Sequence, residues 1–478
     1  MISWLIQRGG IKVNLAAVVL SAGLGTRMKS AMPKVLHPLL GKPMVQYVVE
    51  ALSALKPEKT VVVTGMNSDG IHDALRNYPV SFAVQKEPKG TGDALRSAVQ
   101  KLRGFTGTLL VVSGDTPLIK PATLKAFLKL HRKNRESLSL ISFIAAGNHS
   151  YGRIVREGNK LSAIVEDKDA DEEQKKILEV NSGIYAIEAP LLKLLNKITI
   201  NRAKGEYYLT DIVGIAVSTG CRAGAFFLGN ENELTGINTR ADLHRAVQYL
   251  RDEIAAGFME RGVTFIDKAS VFVHPESVIG TETVIYPNVH IEGRTFIGSG
   301  CILYPNSRII DSTIGNNVII KDSTVIESSE IKEGASVGPF AHIRPGSVIG
   351  KHAKIGNFVE VKKSVIGSGT KASHLSYLGD AEIGEQVNIG AGTITCNYDG
   401  RIKHKTHIED NAFIGSDTQF VAPVRIGEGA YVGAGSTITK DVPPFALATS
   451  RTAQKNTEKW ALKRQSKRGK GERADSRK

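Results

Sequence analysis

The sequence predicts two folds in series: an α/β domain with a mostly parallel sheet, then a parallel β-helix of hexapeptide repeats. Three observations carry this. Short β-branched runs alternate with helical patterns before residue 240. An aliphatic residue recurs at every sixth position beyond residue 272. The 478 residues are too many for one core, so the two patterns belong to separate domains.

In the first half, strands are expected at Leu15–Leu20, Thr60–Thr64, Ser81–Val84, Thr108–Ser113, Leu138–Phe143 and Gly183–Ile187. Helical stretches such as Met44–Leu55 and Thr91–Leu102 lie between them. This alternation implies a sheet covered on both faces, with ligands at the carboxyl ends of its strands. The first such end reads Leu20-Ser21-Ala22-Gly23-Leu24-Gly25-Thr26-Arg27-Met28. Two glycines let backbone N–H groups come close to a phosphate, and Arg27 adds a bidentate cation. A third glycine is missing, so this is no dinucleotide fingerprint, and no GK[ST] follows to make a P-loop. Lys34, in Pro33-Lys34-Val35-Leu36, is a second cation. The pair favours phosphate binding over a purely structural turn. A later strand runs into Ser113-Gly114-Asp115-Thr116-Pro117. Asp115 is there either to hold a hard divalent cation such as Mg²⁺ or to cap the next helix. Leu243, Val247, Leu250, Ile254 and Phe258 form one helical stripe, expected as a linker helix packed on a neighbour.

The second half keeps a clock of six. It runs Val273, Ile279, Ile285, Ile291, Ile297, Leu303, Ile309, slips by one to Ile314, Ile320, Ile326, then slips again to Ile331, Val337, Ile343, Ile349, Ile355, Val361. It returns at Ile408, Ile414, Phe420, Ile426, Val432 and Ile438. A helix would drift off this register, and isolated strands would not hold one phase across their turns. Three hexapeptides make an 18-residue coil, so Arg344 and Lys362 should stack on adjacent coils ~4.8 Å apart. Two stacked cations repel unless an anion lies across them; the alternative is two side chains splayed into solvent. Between Val361 and Ile408 the clock is expected to fail. Asn397–Gly400 reads as a turn, the stretch to His407 as a loop, and His374, set among polar residues, as a candidate general base.

The net charge is +15, of which 11 Lys or Arg against 3 Asp or Glu, a net of +8, fall between Arg451 and Lys478. This basic tail is expected to be disordered and solubilising, with binding to nucleic acid or acidic lipid as the sharper alternative. Cys221, Cys301 and Cys396 show neither CxxC spacing nor an even count, which points to a reducing, cytoplasmic setting. No apolar run reaches the ~20 residues of a membrane span.

The strings LSAGLGTRM with PKVLH, SGDTPL, YGRI, GEYYLTDIV, KASHLSYLGDAEIG and NIGAGTITCNYDG carry a resemblance over roughly residues 14 to 455. The chain resembles the bacterial bifunctional N-acetylglucosamine-1-phosphate uridyltransferase / glucosamine-1-phosphate acetyltransferase family. The resemblance implies a glycosyltransferase-A-like α/β nucleotidyltransferase domain, then a left-handed parallel β-helix, assembled as a homotrimer. It implies an extension over 1–13, a uridyltransferase domain over 14–240, a linker helix over 241–265, an acetyltransferase β-helix over 266–446 and a tail over 447–478. The implied chemistry is acetyl transfer from acetyl-CoA to glucosamine 1-phosphate, then uridylyl transfer from UTP to the product. The final compound, UDP-N-acetylglucosamine, feeds peptidoglycan and lipopolysaccharide.

By motif, Leu20, Ser21, Ala22, Gly23, Gln85, Gly90, Thr91, Ser113 and Gly114 would hold the nucleotide, with Arg27 and Lys34 on its phosphates. Asp115 and Asn238 would bind Mg²⁺, and Gly152, Glu166 and Asn181 the sugar. In the second site His374 would be the base, Arg344 and Lys362 the phosphate grip, and Tyr377, Asn388, Asn397 and Tyr398 the sugar and acetyl pocket. Ala391, Ser416, Ala434 and Arg451 would line the coenzyme A path, which Asn397 and Tyr398 also border. Cys396 is expected to be a packed thiol, and Ser21 stands where the family often has Ala. A single-activity nucleotidyltransferase with a β-helix kept for assembly would lack the His374 and NYDG strings. A non-catalytic scaffold would be expected to lose Arg27, Lys34, Asp115 or His374. No nucleic-acid partner is expected.

Overall fold

A computed structural model describes residues 14–464 except 24, 67, 146–148 and 202–204. The expected extension over 1–13 and the tail from 465 onward lie outside the described residues. The chain divides into two compact units: one reaches Glu260 and includes Lys268–Glu276, the other comprises Arg261–Asp267 and the chain from Ser277.

In the first unit, strands β1 (Leu15–Leu20), β2 (Lys59–Thr64), β3 (Ser81–Val84), β4 (Thr108–Ser113), β5 (Leu138–Ile144), β6 (Glu179–Glu188) and β7 (Ala223–Phe227) form the main sheet. Their order is β7-β5-β6-β4-β1-β2-β3. Every neighbour pair is parallel except those of β6, which runs against both β4 and β5. The central strands are aliphatic on both faces, as burial between two helical layers requires: Ala16, Val18, Val19, Leu110 and Val111 are all at most 1% exposed. A hairpin, Arg153–Glu157 with Lys160–Val165, hangs from β6. The sequence signalled neither this hairpin nor β7, because their residues are only half-buried and alternate weakly. The apolar stripe after the sheet becomes a 21-residue helix, α1 (Arg240–Glu260). Its Leu243, Ala246, Val247 and Leu250 pack on Leu39, Met44 and Leu118, within the first unit.

The second unit is a solenoid of two- and three-residue parallel strands. The clock residues form three inward columns, one per face. The first contains Ile285, Leu303 and Ile320; the second Ile291, Ile309, Ile326, Ile343 and Val361; the third Ile279, Ile297 and Ile314. Nearly all are fully buried, each contributing roughly 1.5–3 kcal/mol of hydrophobic stabilisation. Glycine follows the third column because adjacent coils nearly touch there; a Cβ on Gly350 would lie 2.6 Å from the Gly367 backbone.

The clock does not fail between Val361 and Ile408. Its inward positions are filled by Ile366, Ala372, Leu378, Ile383, Ile389 and Thr395. Thr395 hides from a hydrophobic search, yet it is 1% exposed and its hydroxyl is bonded to both N–H and C=O of Gly379. Every irregularity falls at one corner, between the second and third faces. There the inward residues run Ile309–Ile314, Ile343–Ile349, Val361–Ile366 and then Thr395–Ile408. The first-to-second and third-to-first corners keep a spacing of six throughout. Residues 397–405 leave the coil as a loop closed by a Tyr398–Lys403 bridge, two residues shorter than the expected stretch to His407, because Thr406–Ile408 already pairs as a strand of the third face.

Among the described residues no helix is long and apolar enough to cross a membrane. Of the expected tail, Leu447–Ala448 still pairs with Tyr431–Val432 of the solenoid, whereas 449–464 is exposed and carries a helical turn at 460–464.

Candidate active sites

In the first unit, the loops after β1 and β4 and the segment before α1 surround a cavity of about 490 Å³. Leu20, Ser21, Ala22, Gly23, Arg27, Lys34, Gln85, Gly90, Thr91, Ser113, Asp115 and Asn238 all line it. Parallel pairing of β1 with β4 brings the two motifs together, and Gly114 N–H donates to Leu20 O at 2.9 Å. A Cβ on Gly25 (φ +62°) would lie 2.7 Å from Lys34 Cβ, so only glycine admits this lysine. Gln85 Nε2 donates to Gly90 O (3.0 Å) and Asp93 (2.9 Å), fixing its amide beside the α-helix N-terminus at Thr91.

The charges converge on one point. Lys34 is ion-paired with Asp115 and also donates to Asn238 Oδ1 at 3.1 Å, while Arg27 donates to the same oxygen at 2.9 Å. Burial alone would raise the Asp115 pKa; the Lys34 ammonium and the Ser113 hydroxyl, 2.6 Å away, outweigh it and hold the carboxyl below its ordinary range. Asp115 is therefore a buried anion beside a second hard oxygen donor. That donor chemistry fits Mg²⁺, which completes its shell with water and phosphate. Among the described residues no cluster of three or more His, Cys, Asp or Glu could hold a metal by itself.

Gly152, Glu166 and Asn181 form a separate group away from the lining of that cavity. Asn181 N–H donates to Gly152 O (2.9 Å), and its amide bridges Tyr185 Oη (2.7 Å) and Gly183 N–H (3.0 Å). Glu166 accepts from the Thr210 hydroxyl at 2.8 Å. Burial, then the Glu166 carboxylate, pushes the Tyr185 phenol up, so it stays protonated.

In the second unit the site is spread along one face of the solenoid. Ile343 pairs with Val361, which puts Arg344 and Lys362 in one column, as the 18-residue spacing predicts. Arg344 also bonds Glu360 at 2.7 Å. Sequence reasoning missed a third cation, Lys403, supplied by the 397–405 loop. The Lys403 ammonium, then Arg344, holds Lys362 below the ordinary lysine range. No periodicity points to Lys403, because it lies in an insertion.

At the other edge of that face, His374 pairs in register with Asn357, whose Oδ1 lies 2.6 Å from His374 Nδ1. Asn357 is 17 residues earlier, one short coil, and only the slip in the clock could have revealed it. Tyr377 lies between the two edges, beside Glu360 and Ile394. Ala391, Ser416 and Ala434 continue the His374 column: Asp417 N–H donates to Ala391 O, Gly435 N–H to Ser416 O, and Arg451 reaches Ala434 O at 2.9 Å. Asn388 lies on the neighbouring face, paired with Lys371. Asn397 and Tyr398 open the inserted loop, at the edge that carries the cations. Cys396 is not packed but exposed, because strand alternation turns Thr395 inward and Cys396 outward. The buried thiol is Cys301.

Residues 17–179 match the MobA-like NTP transferase domain family, and 328–363 and 405–440 match the bacterial transferase hexapeptide (six repeats) family. The chain is 53% identical to the bifunctional protein GlmU of Thermodesulfovibrio yellowstonii, covering 94% of this chain and 99% of that protein. It is 49% identical to that of Syntrophotalea carbinolica, over 94% of this chain and 97% of the relative. The chain belongs to the bifunctional GlmU family. It is accordingly a transferase with two activities. The nucleotidyltransferase unit fits uridylyl transfer and the hexapeptide unit fits acetyl transfer.

Proposed function

We propose that the hexapeptide unit acetylates glucosamine 1-phosphate with acetyl-CoA, and that the first unit then joins the product to UTP, releasing pyrophosphate and UDP-N-acetylglucosamine. The observation that carries this reading is the convergence of Arg27, Lys34, Asp115 and Asn238 on one cavity.

In the first unit the glycine loop and Gln85, Gly90 and Thr91 seat the nucleotide. Ser113 and Gly114 adjoin the glycine loop and extend that wall, and Gly152, Glu166 and Asn181 orient the sugar. Arg27 and Lys34 take the phosphates, Lys34 exchanging its contact with Asp115 for a phosphate oxygen. Asp115 and Asn238 would hold Mg²⁺, which when bound neutralises charge on the bridging phosphates. The protein's part is positioning the sugar phosphate in line with the α-phosphorus; no covalent nucleophile is needed.

In the second unit, Asn357 Oδ1 accepts a hydrogen bond from His374 Nδ1–H, which leaves the Nε2 lone pair to take a proton from the glucosamine ammonium. The freed amine attacks the thioester carbonyl, the C–S bond of the resulting adduct breaks, and coenzyme A leaves as the thiolate, which takes up the second nitrogen proton. Arg344, Lys362 and Lys403 grip the sugar phosphate, whose dianion relieves their mutual repulsion. Tyr377 and Asn388 flank the sugar, and the Ala391–Ser416–Ala434 column with Arg451 guides the coenzyme A chain, bordered by Asn397 and Tyr398. Assembly as a homotrimer is supported by the stacked Phe340 and Phe358 rings, 5.4 Å apart and both more than half exposed, at the corner beside His374.

The test is product analysis with the half-reactions run separately. Free coenzyme A from glucosamine 1-phosphate and acetyl-CoA, and UDP-N-acetylglucosamine with pyrophosphate from N-acetylglucosamine 1-phosphate, UTP and Mg²⁺, are expected. Turnover in the second vessel alone would reduce the solenoid to an assembly module.

A further inference from the structure

The residues at the start of α1 take no part in the chemistry above, yet they touch the segments that carry Arg27, Lys34 and Asn238. Asp242 Oδ2 accepts the backbone N–H of Asn238 at 2.9 Å and of Thr239 at 2.8 Å. Asp242 N–H donates to Thr239 Oγ1 at 3.1 Å, closing a reciprocal cap. Ile237 N–H donates to Asp115 O at 2.9 Å, so the three-residue segment Ile237–Thr239 is tied to Asp115 on one side and to α1 on the other. Arg240 Nε donates to Met28 O (3.2 Å) and its Nη1 to His37 Nδ1 (3.3 Å). Met28 adjoins Arg27, and His37 closes the short turn that carries Lys34. His37 is 4% exposed, and burial, then Arg240, lowers its pKa, so the ring stays neutral and can accept this bond.

We propose that Asp242 and Arg240 are positioning residues for uridylyl transfer: Asp242 sets Asn238 against Asp115, and Arg240 sets the Arg27–Lys34 segment against both. Neither side chain need touch a substrate. An ordinary helix cap would serve α1 alone. Here one of the two capped N–H groups belongs to Asn238, whose side-chain oxygen faces the Lys34–Asp115 pair, so loss of the carboxylate frees that oxygen to swing away. Outer contacts of this kind usually matter about 10-fold or more for metal affinity. The inference rests on the reading of Asn238 as a metal ligand.

The experiment measures Mn²⁺ binding by electron paramagnetic resonance on the full-length chain with UTP present. The Mg²⁺ half-saturation of uridylyl transfer, thermal stability and acetyl transfer are followed on the same samples. Asp242→Ala is expected to weaken Mn²⁺ binding and raise the Mg²⁺ half-saturation about 10-fold. Asp242→Asn, which keeps an acceptor oxygen, should remain within roughly threefold. Arg240→Ala should raise the KM for UTP severalfold and carries the test should Asp242→Ala not fold. A lowered melting temperature with unchanged Mn²⁺ binding in Asp242→Ala would reduce Asp242 to a helix cap and overturn the proposal. Asn238→Ala separates the two failures. If it leaves Mn²⁺ binding intact, the assignment of Asn238 is wrong; if it weakens binding while Asp242→Ala does not, the positioning role is wrong.

Discussion

The two sites solve one problem, holding a phosphate ester, by opposite means. In the first unit two of the charges are sunk in a cavity and already paired: Lys34 is 13% and Asp115 14% exposed, and each compensates the other's burial. In the second the cations are on the surface and only partly balanced: Arg344 is paired with Glu360, while Lys362 is pressed by Lys403 and Arg344 together. The first site is held by tertiary packing of distant segments; the second is held by register, because each coil repeats the position of the last. A deep paired site tolerates no loss of a partner. An exposed like-charged one loses affinity in steps.

The largest effect that could break this contrast is Asp115→Ala. It should cut uridylyl transfer by roughly 10³-fold, several kcal/mol of charge stabilisation, and leave acetyl transfer unchanged. Loss of both activities in a folded protein would mean the sites are not independent. His374→Ala should do the reverse, lowering acetyl transfer by about 10²–10⁴-fold, as measured by coenzyme A release. Arg344→Ala with Lys362→Ala should raise the KM for glucosamine 1-phosphate by roughly 10²-fold, from two lost charge-assisted hydrogen bonds. An unchanged KM would leave the cation column without a ligand.

A smaller effect sharpens the role of the inserted loop. His404, then the backbone N–H groups of Ile402 and Arg401, hold the Asp399 pKa down to about 2. Its contribution to the loop is thus complete above the ordinary carboxylate range and lost as pH falls through about 2. Hydrogen-exchange protection in 397–405, taken relative to the intrinsic rate at each pH, should be level between neutral pH and the ordinary carboxylate range, then fall in stronger acid. Asp399→Ala should loosen the loop at neutral pH and raise the KM for glucosamine 1-phosphate a few-fold through Lys403. Least of all, deletion after Arg451 should leave uridylyl transfer unchanged in a direct assay.

Much of this was legible in the sequence, for identifiable reasons. The six-residue clock exposes the solenoid because inward positions must be small or apolar on every coil, and the 18-residue spacing alone then places Arg344 over Lys362. The strand-end motifs with Arg27, Lys34 and Asp115 are local, and a parallel sheet must gather its strand ends at one edge. Only the tertiary structure decided the rest. That Thr395 continues the clock depends on a hydroxyl finding partners inside the coil. That Lys403 joins the cation column depends on how an insertion folds back, which no period encodes. That Asn238 meets Asp115 across 123 positions (238 less 115), strapped there by Asp242 and Arg240, depends on where α1 packs. Periodicity reports what repeats along the chain; contacts made once, between segments far apart in sequence, leave no period to read.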